Sequence, residues 1–82
     1  VTAGRWIVYI LECADDTLYT GITNDMPRRL AAHESGKGAK YTRGRGPYKI
    51  LHIETLASRG EALRREAEIK AMPRADKLEL AK

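Results

Sequence analysis

The stretch from Tyr19 to His33, YTGITNDMPRRLAAH, constrains the fold more than any other because its backbone preference changes midway. It begins as a strand, breaks at Asn24-Asp25 and continues as a short helix. Asp25 is a good N-cap, and Pro27 suits a first helical turn, where its missing N–H would be unpaired anyway. A helix starting there puts Arg29 and His33 four residues apart on one face. Tyr19 and Gly21, two apart on the strand, also share a face. A phenol, a backbone that admits close approach, a guanidinium and an imidazole therefore converge at one strand-to-helix junction.

Composition limits what can surround that junction. Eighty-two residues make one small domain, spanning residues 1–82. A chain this short buries only about 60–65% of its unfolded surface, enough for one sheet and a few helices. A hydrophobic content of 43% and a charged content of 32% are those of an ordinary soluble globule. Fifteen Lys+Arg against eleven Asp+Glu give a net charge of +4, a balance that favours polyanion partners. The lone Cys13 has no internal disulfide partner. With no signal peptide in view, it fits a reducing cytoplasm, and its place at the end of an apolar strand reads as a small buried hydrophobe. Two widely separated histidines and one cysteine give no zinc pattern. No apolar run approaches the ~20 residues of a membrane span, so no membrane partner is expected. Val1 to Gly4 read as a frayed start.

Along the chain, strands are expected at about 6–13, 17–22 and 48–55, and helices at about 25–34, 59–72 and 74–81. The first strand, rich in β-branched and aromatic residues, reads as buried on both faces. In the third, Ile50, Leu51 and Ile53 feed the core and His52 reads as structural. Ser58 and Glu61 form a capping box that opens the second helix. There, Ala62, Leu63, Ala67 and Ile69 define an apolar arc, with Glu66 near its middle, Lys70 one turn on, and Arg64, Arg65 and Glu68 opposite. A carboxylate in such an arc needs a cation, a metal or solvent, and an i,i+4 pair with Lys70 is the simplest answer. The fold class is α/β (α+β): a three-stranded, mainly antiparallel sheet flanked by about three helices, with both tyrosines, Arg29 and Glu66 on one side of it.

Residues 37–49 are the most basic segment, with Lys37, Lys40, Arg43, Arg45 and Lys49, no acid, and Tyr41 and Tyr48 among glycines. Such a segment can neutralise phosphates while a tyrosine stacks on a base. Lys37, Lys40, Tyr41, Arg43 and Arg45 are the candidate nucleic-acid contacts.

Val8-Tyr9 on the first strand, Tyr19-Thr20-Gly21 on the second, Arg29 and His33 on the helix, residues 36–43 and residues 62–70 resemble the GIY-YIG nuclease family. The likeness spans roughly residues 6 to 72 and is to small stand-alone bacterial members. It extends to the N-terminal domain of the excision-repair nuclease and to structure-specific junction endonucleases. It implies that Tyr9 is the general base, directly or through water, with Tyr19 supporting it. Arg29 would stabilise the transition state and His33 would assist by hydrogen bonding or proton transfer. Glu66 would be the sole protein ligand of one divalent cation, Mg²⁺ (or Mn²⁺), with Lys70 behind it. The implied activity is a metal-dependent endonuclease acting on DNA, nicking or structure-selective, in repair or DNA processing. The residues do not separate DNA from RNA. The chain departs from the pattern where Ile7-Val8-Tyr9 lacks the glycine, and where Asn24, the only asparagine, leaves none after the glutamate helix. No targeting domain is seen, which implies a protein partner for targeting. The alternative is a non-catalytic nucleic-acid-binding module or a partner-dependent subunit.

Overall fold

Residues 6–12 are β-branched or aromatic nearly throughout, and they form the middle strand of the sheet, β1 (Trp6–Glu12). The computed structural model describes residues 5–82, so the frayed start expected at Val1 to Gly4 lies outside the described residues. β2 (Leu18–Thr23) and β3 (Lys49–Leu56) flank β1, both antiparallel to it, in the order β2-β1-β3. Tyr9 lies opposite Gly21, Leu11 opposite Tyr19 and Val8 opposite Glu54.

Because successive side chains of a strand point to opposite faces, β1 feeds two cores. Val8 and Ile10 pack under Ala62 and Ile69 of α2 (Arg59–Lys70), with Leu80 of α3 (Arg74–Leu80) beside them. Tyr9 and Leu11 pack with Met26 of α1 (Met26–Glu34) on the other face. Val8, Tyr9, Ile10 and Leu11 are all fully buried, as expected for a strand covered on both sides. No helix among the described residues is long and apolar enough to cross a membrane.

The caps follow the local sequence. Asp25 accepts from the Arg28 N–H at 3.2 Å, which starts α1, and Ser58 accepts from the Glu61 N–H at 3.2 Å, which starts α2. The Glu61 carboxylate reaches back to the Ala57 N–H at 3.1 Å, one residue upstream of the expected capping box.

Two expectations are corrected. The apolar arc of α2 is rotated: Leu63 is 39% exposed and Ala67 is exposed, while Ala62, Arg65, Glu66 and Ile69 form the inward stripe. Those four positions have the i, i+3, i+4, i+7 spacing of one helix face. Its two middle members are charged, so ranking residues by apolarity turned the helix the wrong way. Arg65, expected opposite the core, is half-buried and bonds Glu54 on β3 through Nε at 2.7 Å and Nη2 at 3.0 Å. Ile53, expected in the core, is 45% exposed. It sits on an outer strand and shares the Tyr9 face of the sheet. His52 is structural as expected and bonds Glu54 at 2.8 Å.

Candidate active site

α1 repeats the spacing of α2. Met26, Arg29, Leu30 and His33 form its inward stripe, with Met26 and His33 buried and Arg29 and Leu30 half-buried. The stripe lies over Tyr9, and a chain of hydrogen bonds results. The Tyr9 hydroxyl is 2.9 Å from His33 Nε2, Arg29 Nε donates to the phenol oxygen at 3.3 Å, and His33 Nδ1 is 2.7 Å from Thr42 Oγ1.

The direction of the protons can be deduced. The single Thr42 hydroxyl proton goes to the Ala39 carbonyl at 2.9 Å. Thr42 Oγ1 can then only accept from His33, which puts the imidazole proton on Nδ1 and leaves Nε2 a bare acceptor. Tyr9 therefore donates to His33 while accepting from Arg29. Burial raises the Tyr9 pKa above the usual tyrosine range, partly offset by the Arg29 hydrogen bond. Burial and then the Arg29 charge lower the His33 pKa. At neutral pH the phenol keeps its proton and the imidazole is uncharged. The Arg29 pKa is raised, chiefly by its bond to Tyr9.

Two glycines make room for this chain. A Cβ on Gly21 would lie 2.6 Å from the Tyr9 hydroxyl oxygen and 2.9 Å from Tyr19 Cε2. The close approach expected at Gly21 is thus made by two phenol rings. A Cβ on Gly38 would lie 2.3 Å from His33 Nδ1 and 2.9 Å from the His33 Cα. Thr42 and Gly38 are the site residues that sequence reasoning missed. Neither has a periodic signal, because both reach His33 from the segment after α1.

Tyr19 packs against Tyr9 (ring centroids 6.2 Å apart), His33 (5.4 Å) and Tyr41 (5.9 Å, stacked at 25°). Lys37, Lys40 and Arg43 are exposed and form no ion pair among the described residues. Arg45 differs. It pairs with Asp15, donates to the Tyr41 carbonyl at 2.7 Å and lies 4.8 Å from the Tyr41 ring centre. It ties the basic segment to the β1–β2 turn.

Glu66 comes from the other face of the sheet, because α2 packs on the Val8 side of β1 and not on the Tyr9 side. α2 thus approaches from the face opposite α1, with Arg65 turned toward β3. Glu66 is still near enough to the tyrosine that its charge helps to raise the Tyr9 pKa. Its half-buried carboxylate is 3.5 Å from Lys70 Nζ. That is longer than the ~2.7–2.9 Å of a close charge-assisted bond. Among the described residues no three His, Cys, Asp or Glu cluster. A single loosely paired carboxylate suits a hydrated, oxygen-seeking cation that completes its shell with water and phosphate.

The GIY-YIG catalytic domain model matches residues 5–79. The chain is 53% identical over 73 residues to the UPF0213 protein of Oceanobacillus iheyensis, covering 89% of this chain and 85% of the relative. It is 54% identical over 70 residues to a UPF0213 protein of Natronomonas pharaonis, covering 85% and 82%. The solution NMR structure of a UPF0213 protein from Bacillus halodurans superposes with a TM-score of 0.59 at 50% identity, covering 93% of this chain and 81% of that one. A protein from E. faecalis gives 0.65 at 39% identity, covering 92% and 80%. The chain belongs to the GIY-YIG catalytic-domain family, among its small UPF0213 members.

Proposed function

We propose that this domain is a metal-dependent endonuclease that hydrolyses phosphodiester bonds in DNA. The hydrogen-bond chain Arg29–Tyr9–His33–Thr42 carries the reading. A tyrosine serving only the core needs one partner. This one is fully buried, has two, and aims its proton at an uncharged imidazole. As water attacks phosphorus, its proton passes to the phenol oxygen while the phenol proton passes to His33 Nε2. The Thr42 bond holds that nitrogen unprotonated beforehand. The new P–O bond forms as the bond to the leaving sugar oxygen breaks. Arg29 holds the phenol oxygen in place through its Nε bond and stabilises the charge that develops on the phosphoryl oxygens. A divalent cation held by Glu66 would supply Lewis-acid stabilisation of the phosphoryl and leaving oxygens.

The Glu66–Lys70 pair is the one observation that favours a binding module without catalysis, since it leaves the carboxylate with a cation of the protein's own. Incubation with supercoiled plasmid and branched DNA in Mg²⁺, Mn²⁺ or EDTA decides between them. Cleavage that requires the metal and is abolished in Glu66→Ala is expected. No metal-dependent product from the wild type would favour the binding module instead, and equal product from Glu66→Ala would remove the metal-holding role of Glu66.

A further inference from the structure

We infer that a groove outside the edge of β2 holds the phosphate next to the scissile one on the strand being cut, with Lys77 of α3 as its principal cation. This rests on the nuclease reading and deepens it. The groove is lined by Leu18, Tyr19, Thr20, Tyr41, Lys70 and Lys77, and no acid lines it. Its volume is about 300 Å³, at the small end of ligand sites and suited to a single nucleotide unit.

Two observations point to an anionic occupant. Lys77 is half-buried and in no ion pair among the described residues, although α3 also carries Asp76 and Glu79. The groove is also continuous with the reaction centre, because Tyr19 lines it and packs against Tyr9 and His33. A strand whose reacting phosphate lies at Tyr9 and Arg29 can pass over Tyr19 and set its neighbouring phosphate between Lys77 and the Tyr41 hydroxyl. Lys70, now facing Glu66, lines the same groove and adds a second cation to it. α3 thereby acquires a role besides covering the core.

The test is binding in EDTA, where no cleavage is required. A fluorescent duplex with a single-stranded tail is titrated by anisotropy at several salt concentrations. Lys77→Met keeps most of the stem and removes the charge. It is expected to weaken binding several-fold and to flatten the plot of log affinity against log salt by about 0.7–0.9, the loss of one phosphate contact. Lys77→Arg should restore both. Lys82→Ala removes one charge from the same end of the chain without touching the groove and should leave the slope unchanged. Urea unfolding confirms that each variant is folded. A Lys77→Met protein that behaves like Lys82→Ala, while the wild type binds and cuts, overturns the groove alone. A wild type that neither binds nor cuts overturns the nuclease reading with it.

Discussion

Thr42→Val tests the proton arrangement from its far end. The substitution keeps the shape of a fully buried side chain and removes the hydroxyl that accepts from His33 and donates to Ala39. The Ala39 carbonyl keeps the Thr42 N–H at 3.0 Å, so its loss is mild, about 0.5–1 kcal/mol. His33 Nδ1–H has no such reserve, and a stranded buried donor costs about 1–3 kcal/mol. The added methyl returns about 0.8 kcal/mol. The net expectation is a loss of about 1–3 kcal/mol, or a fall in Tm of about 5–20 °C in a domain of this size. The imidazole can escape part of this by moving its proton to Nε2, but it then confronts Tyr9 with a donor and can no longer take the phenol proton. The chemical consequence follows from the same loss: single-turnover cleavage should fall by about 10²-fold or more, and Thr42→Ser should recover it. Urea unfolding gives the stability, and imidazole ¹⁵N shifts report which nitrogen is protonated. A Thr42→Val protein within about 0.5 kcal/mol of wild type, with unchanged ¹⁵N shifts, would refute the assigned proton positions.

Tyr9→Phe should lower single-turnover cleavage by about 10²–10⁴-fold with nucleic-acid affinity nearly intact, while Tyr19→Phe costs less because its ring mainly packs and its hydroxyl acts on Arg29 less than that of Tyr9 does. Near-wild-type cutting by Tyr9→Phe would move the base elsewhere. Stability should depend on pH at both ends. His33 has a folded pKa below its unfolded value of about 6.5, so its contribution is whole above that pH and is lost as pH falls below it. Tyr9 has a raised pKa, so its contribution is whole below about 10 and is lost above. Urea midpoints across pH should show both limbs, and His33→Gln should flatten the acid one.

The sequence made the strands, the helices and the Tyr9–Tyr19–Arg29–His33 group legible for a common reason. Each depends on spacing within one element or across the turn joining two neighbours. Asp25 capped α1, and once capped the helix could turn only one stripe toward Tyr9. Thr42 and Gly38 were not legible, because they contact His33 through a segment whose path has no repeat. Arg45 looked like its basic neighbours, yet Asp15, thirty residues away, claims it. The facing of α2 was misread for a different reason. Hydrophobicity was used to find its inner side, but that side carries an arginine and a glutamate whose partners lie on other elements or further along the helix.

That pair of neighbours on α2 has a further consequence. Glu54 grips Arg65 with two bonds and is itself gripped by His52, so one flank of the helix is fastened to the outer strand β3. A cylinder fastened along one flank can only roll about it, and slack at the fastening would be delivered to Glu66, about 100° further round the helix. The Arg65 bond holds the Glu54 pKa below the usual carboxylate range. The fastening therefore keeps its charge further into acid than an unpaired glutamate would.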